Sequence, residues 1–344
     1  MDSTVIFQQM FILVIMMGVG FLIRRLKIID DGSNVTMSKI LLRVTVPATL
    51  VYSIVSRRLD VDPVQVPLFL GIILLSFAVG AAVSWVAARA IRAPREEVGA
   101  YINLGMYGNV NFMSIPLIVS LIAVDVLPAE AMLYGILYNI IFNLLIFSVG
   151  MKLIGGKEAK INLKMILSPV MIGGMLALFF FVINFQLPGV GFETCTHSGC
   201  YLYGNVFEPT AMETVLLTAF APVRMLGAVT APLSMLLLGS TIGGMKIGEL
   251  VRGWRNYAIT AVKLVVVPVI VFFVLLPMFN GIAALYDYET LLTVIFIANA
   301  SPMAISVAIF TFNYNKHKEI VAKGLLVSTL LSAITMPILM AIFL

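Results

Sequence analysis

Apolar residues run in long blocks along the chain, separated by short polar links. Ten blocks can be marked: Val5 to Ile23, Ile40 to Val55, Val66 to Ala88, Val98 to Ile122, Ala131 to Lys152, Lys164 to Asn184, Val215 to Gly243, Trp254 to Met278, Thr290 to Phe312 and Ile320 to Leu344. A bilayer core takes roughly 20 helical residues to cross, and most blocks approach or exceed that length. The pattern predicts an all-α membrane protein with ten transmembrane helices. The first block is read as a span that stays, because the acidic "MDSTV" precedes it and the basic "RRLK" follows it, the reverse of a cleavable leader. The longest link, Phe185 to Thr214, falls between the sixth and seventh blocks.

Composition agrees. Of 344 residues, 61% are hydrophobic and 11% charged, far from the roughly 25% charged of a soluble domain. The basic residues are placed unevenly. Links after the odd-numbered blocks hold groups such as Arg24, Arg25, Lys27 and Lys39, then Arg89, Arg92 and Arg95, and finally Lys316, Lys318 and Lys323; the opposite side holds Arg57 and Arg58. The positive-inside rule then puts both termini outside the cytoplasm. The net charge of +5 is a topology signal. No basic face on a soluble domain exists to bind nucleic acid.

The chain echoes itself. "VTVPATL" (Val44 to Leu50) resembles "VTAPLSM" (Val229 to Met235), "GNVNFMSIP" (Gly108 to Pro116) resembles "ANASPMAIS" (Ala298 to Ser306), and "GILYN" (Gly135 to Asn139) resembles "GLLVS" (Gly324 to Ser328). Five helices separate equivalent positions, and an odd number reverses the crossing direction, so the expected repeat is inverted. The fourth and ninth blocks each carry a break near their middle, with Asn109, Asn111, Ser114 and Pro116 in one and Asn299, Ser301 and Pro302 in the other. Freed backbone groups at membrane depth must lie inside protein or line a cavity, and half-helix N-termini favour an anion. Ser301 and Pro302 fit a local helix start, Ser as cap and Pro as first helical residue. A proline kink with asparagines joining helices is the plainer account of either break alone.

At these residues the sequence resembles the auxin efflux carrier family, which includes the plant PIN carriers and their bacterial relatives. The matching segments are "GFLIRRLKIIDDGSNVTMSKILLRVTVPATLVYSIV", "GNVNFMSIPLI", "ANASPMAISVAIFTFNYN" and "LLVSTLLSAITMPIL", in order along nearly the whole chain. The resemblance implies two inverted five-helix repeats with broken helices four and nine crossed. It implies scaffold helices in 1–61 and 156–245, the latter with the external loop 185–214, and transport-domain helices in 62–155 and 246–344, moving in an elevator-like way. It also implies an organic-anion carrier, of auxins in plants and of dicarboxylates such as malate or malonate in some bacterial relatives, and pairing into a homodimer through the scaffold. The link after the fifth block, about Gly155 to Asn162, lacks the long hydrophilic loop of plant members. The chain is thus of the compact prokaryotic type.

Further candidates flank the breaks. Asn139 and Asn143 are four apart, share one helix face, and either line the site or join helices. Lys263 and Arg224 are embedded cations that either attract an anionic substrate or snorkel to an interface; Arg43 reads as interfacial. Carboxylates fall in links or at span ends, which weakens a proton relay and leaves sodium coupling open. Cys195 and Cys200 in "CTHSGC" are a disulfide candidate in an oxidising exterior; His197 between them is a weak metal signal, and His317 sits in a basic turn. No cofactor, metal or enzymatic constellation is expected. The expected function is a plasma-membrane secondary carrier of a small organic anion, with a sodium-coupled symporter or a non-transporting receptor as alternatives.

Overall fold

The computed structural model describes residues 3–159, 167–188, 194–196, 199–202, 205–207, 210–244, 253–282, 288–314 and 316–343. Among the described residues, seven continuous helical stretches are long and apolar enough to cross a membrane: α1 Phe7–Arg25, α2 Asp31–Val55, α3 Pro63–Ala90, α6 Glu130–Glu158, α8 Ala211–Gly244, α9 Trp254–Met278 and α12 Lys318–Phe343. Shorter helices complete the order: α4 Val98–Met106, α5 Val110–Ala123, α7 Pro169–Val182, α10 Tyr288–Ala300 and α11 Ser306–Tyr314. The fourth and ninth apolar blocks each appear as two short helices because each is interrupted. Large apolar side chains such as Phe11, Leu22, Phe179, Phe273 and Ile342 point outward, as a lipid-facing surface requires.

Several helices are locally widened. Three π turns end two residues ahead of a proline: Leu41–Thr45 before Pro47, Val110–Ser114 before Pro116, and Val262–Val266 before Pro268. Proline lacks an N–H and its ring crowds the carbonyl four residues back. In each case that carbonyl lies in the π turn, where the wider coil makes room. These three prolines are therefore accommodated without ending the helix.

Close helix packing relies on small residues. α1 lies along the second half of α8, where a Cβ on Gly239 would overlap the backbone of Met17. The two "VT.P" echoes meet directly. Thr49 Oγ1 lies 2.6 Å from Thr230 Oγ1 and donates to the Gly227 carbonyl at 3.0 Å.

The external link differs from a plain loop. It contains three short antiparallel strands, β1 Thr194–Thr196, β2 Gly199–Leu202 and β3 Asn205–Phe207, in that order. The Thr, Tyr, Val and Phe content favours strands. Cys195 pairs with Cys200 in the backbone register. The side chains of both cysteines, and His197 altogether, lie outside the described residues. α8 begins earlier than hydropathy indicates, at Ala211, because Thr210 and Glu213 form a reciprocal capping box there.

Candidate functional site

α4 stops at Met106, and the chain runs through Tyr107, Gly108 and Asn109 before the π turn at Val110 restarts a helix. α10 stops at Ala300, and α11 starts at Ser306. The two interruptions lie side by side. Gly108 and Met303 form an antiparallel bridge. Asn109 N–H donates to the Pro302 carbonyl at 2.7 Å, and Ala304 N–H donates to the Tyr107 carbonyl at 3.1 Å. Each break thus satisfies backbone groups freed by the other, which buried backbone requires. Glycine is needed at 108, since a Cβ there would overlap the Ala298 carbonyl oxygen and Ser301 Oγ.

Side chains from neighbouring helices brace each break. On the first, Asn139 of α6 donates from Nδ2 to Asn111 Oδ1 at 2.7 Å, and Asn143 donates to Asn139 Oδ1 at 2.8 Å. On the second, Ser328 of α12 accepts the Met303 N–H at 3.2 Å. Asn299 turns its amide back to the Ile295 carbonyl at 2.9 Å. Its own backbone carbonyl accepts from Lys263 Nζ of α9, also at 2.9 Å. All of these polar residues are buried, Lys263 and Ser328 completely. Asn109 Nδ2 and Ser114 Oγ are buried without a hydrogen-bond partner among the described residues.

Asn109, Asn111, Asn139, Asn143, Lys263, Asn299, Ser301 and Pro302 therefore gather at the paired breaks, with Ser114 and Pro116 next along α5, while Arg224 and the two cysteines lie elsewhere. One local reading is corrected. Ser301 does not cap a helix start with Pro302 as its first residue. Ser301 Oγ donates to the Ala298 carbonyl at 2.7 Å, which closes α10, and α11 begins four residues after Pro302. The physical reason is the bridge: Pro302 and Met303 are held extended against the other break. Ser328 was not singled out from the sequence. The signal was present, because Ser328 stands in "GLLVS" where Asn139 stands in "GILYN", and each braces its own break.

Beside α5 lies an open cavity of about 190 Å³, with Thr49, Tyr52, Arg57, Arg224, Ile122 and Met132 among its walls. Arg224, Arg57 and Tyr52 thus share the lining of one cavity. Among the described residues no group of three or more His, Cys, Asp or Glu side chains could hold a metal ion. The chemistry gathered here is non-covalent: paired helix ends, amides, hydroxyls and one ammonium.

A comparison with curated proteins returns no match. A family model described as "Membrane transport protein" matches residues 5–165 and 158–340, and this is the auxin efflux carrier-like family that the motifs resemble. Helices that cross a membrane, two of them broken and bridged at their interruptions, and a family match over nearly the whole length lead to one assignment: the chain belongs to the membrane transport protein family.

Proposed function

We propose that this membrane transporter is a secondary carrier of a small organic anion, such as a dicarboxylate or an auxin-like carboxylate. The observation that carries this reading is the bridge between the two breaks, with Asn109 Nδ2 and Ser114 Oγ buried beside it and lacking a partner among the described residues. Buried donors without partners are costly, and an anionic solute's oxygens would fill that need. The π turn at Val110 opens a helix whose first N–H groups also favour negative charge. Asn111, Asn139, Asn143, Asn299, Ser301, Pro302, Pro116 and Lys263 complete the site in this reading.

The same reading takes the chain as ten helices in two inverted repeats. Support comes from the echoes, since Thr49 meets Thr230 and the Gly108 break meets the Met303 break, as equivalent segments do near a two-fold axis. Residues 1–61 and 156–245 would be the scaffold, pairing into a homodimer. Residues 62–155 and 246–344 would move as a unit past it in the plasma membrane, both termini outside. The cavity with Arg57 and Arg224 lies between α2 and α8 on one side and α5 and α6 on the other, where such movement would admit an anion.

The test is counterflow of labelled malate into proteoliposomes preloaded with malate, beside malate binding to purified protein. Exchange is expected in the wild type. Affinity should fall roughly tenfold in Asn109→Ala and Asn299→Ala, about the worth of one hydrogen bond to a charged group. Binding without counterflow would make the protein a receptor; unchanged binding in both variants would remove this site.

A further inference from the structure

We infer that the polar cavity where α4, α9 and α12 begin seats the head group of a phospholipid that carries a primary amine, with its acyl chains lying along the exposed face of α9. The cavity holds about 240 Å³ and is lined by charges of both signs, Glu97 and Glu319 beside Arg255 and Lys323. It lies apart from the paired breaks, to which none of its lining residues belongs. The helix starts come together there because α9 packs against both α4 and α12. The first N–H groups of a helix have no partner within it and carry partial positive charge. No side chain caps α4 at Glu97 or α9 at Gly253. Arg255 is fixed at the wall: its Nε donates to the Ile91 carbonyl at 3.3 Å, and its guanidinium lies 5.9 Å from the Trp254 ring centre. Uncapped helix starts and two cations suit a phosphate.

The acidic half of the cavity needs a different partner. Asn256, in the first turn of α9, is 6% exposed and lines the cavity, and its Oδ1 is buried without a hydrogen-bond partner among the described residues. A buried acceptor left unpaired is costly, and it calls for a donor. With Glu97 and Glu319 alongside, the fitting donor is a cation with N–H groups. A primary ammonium offers three such donors; a trimethylammonium offers none. Lys323 and Glu319 pair with each other four residues apart on α12, so that edge already presents both signs. A phosphate joined to a primary ammonium meets both halves, and its near-zero net charge matches a lining of two acids and two bases. Trp254 points to a lipid rather than a free zwitterion. It lines the cavity yet is exposed, and tryptophan settles at the membrane interface. Farther along α9, Tyr257, Val265, Val266 and Phe273 are exposed too, an apolar strip on which acyl chains would pack.

The inference goes beyond the carrier reading and does not depend on it. Purified wild type, Asn256→Leu and Arg255→Gln are equilibrated with detergent micelles holding equal amounts of dioleoyl phosphatidylethanolamine, phosphatidylcholine and phosphatidylglycerol. Native mass spectrometry then counts the lipids retained. The wild type should retain the ethanolamine lipid over the choline lipid by roughly tenfold, about the worth of one hydrogen bond to a charged group. Asn256→Leu should bring the two near parity while still holding lipid by its phosphate. Arg255→Gln should lose both alike. Equal retention of the ethanolamine and choline lipids by the wild type, preference for the glycerol lipid, or wild-type behaviour in both variants would overturn the inference. Glycerophosphoethanolamine, the same head group without chains, should bind lipid-free protein far more weakly than the lipid does. Binding as tight as the lipid's would make the ligand a soluble zwitterion and sink the lipid assignment. If neither variant folds, retention by the wild type still decides.

Discussion

Gly108 faces the carbonyl of Ala298 with no room between them for a single methyl group. The contact holds the two interruptions at bridge distance, and it depends on the absence of one side chain. Gly108→Ala should therefore force the breaks apart, at a cost of about 1–3 kcal/mol typical of overpacking. Gly18 on α1 has nothing within 4 Å of its would-be Cβ, and Gly18→Ala should be neutral or slightly stabilising. Melting curves of the two variants in the same detergent check this; a Gly108→Ala protein as stable as the wild type would show that the backbones are not so close.

Asn109 and Asn139 should separate binding from stability. Asn139 donates to Asn111 and accepts from Asn143, so Asn139→Ala leaves buried partners unsatisfied and should cost about 1–3 kcal/mol. The Asn109 amide nitrogen has no partner among the described residues, so Asn109→Ala should leave the melting temperature nearly unchanged while weakening malate binding. The reverse pattern, with Asn109→Ala unstable and Asn139→Ala silent, would exchange their roles.

The Thr49–Thr230 hydroxyl pair, 2.6 Å apart and buried, should couple α2 to the second half of α8. Thr49→Val and Thr230→Val keep the shape and remove the hydroxyl. A double-mutant cycle on unfolding should give a coupling of about 0.5–3 kcal/mol, as for residues in direct contact. Additive effects would mean that the hydroxyls do not share a bond.

Acid should loosen the start of α8. Hydrogen bonds from the Thr210 N–H and hydroxyl hold the Glu213 carboxyl below its ordinary range. A carboxylate whose folded value is depressed stabilises fully above its unfolded value and loses that contribution as pH falls through the folded one. Amide exchange in the first turn after Thr210 should thus accelerate below about pH 4, once allowance is made for the intrinsic rate. In Glu213→Gln the acceleration should be absent.

The sequence was most legible where one physical requirement dominated. Apolar block length placed the helices, because a bilayer accepts few alternatives to a satisfied helical backbone. The breaks were legible because Gly108, Pro116 and Pro302 are poor helix residues with amides around them. Asn139 was visible at helical spacing from Asn143. The end of α8 nearest the external link was less so, because hydropathy starts at Val215 while the capping residues Thr210 and Glu213 start the helix earlier.

Ser301 marks where local reasoning stopped. Ser followed by Pro reads as a helix start, and in isolation that preference is sound. The bridge to Gly108 imposes extended backbone on Pro302 and Met303, so Ser301 closes the helix behind it. No pattern within the segment records a strand partner nearly two hundred residues away. Arg57 and Arg224 met the same limit: one reads as a link residue and the other as an embedded cation that attracts an anion or snorkels, and packing alone puts both on one cavity wall.

The amino-acid sequence by itself determined the membrane helices, their interruptions, the polar residues at those interruptions and the family. Those follow from lipid as solvent and from the backbone chemistry of glycine and proline, which act within a few residues. Tertiary structure alone decided that the two breaks join as an antiparallel bridge between Gly108 and Met303, that Ser328 rather than helix geometry takes the Met303 N–H, and that the Asn299 carbonyl is therefore free for Lys263. Hydrogen bonds are assigned among all donors that come within reach, and only the packed chain fixes that set.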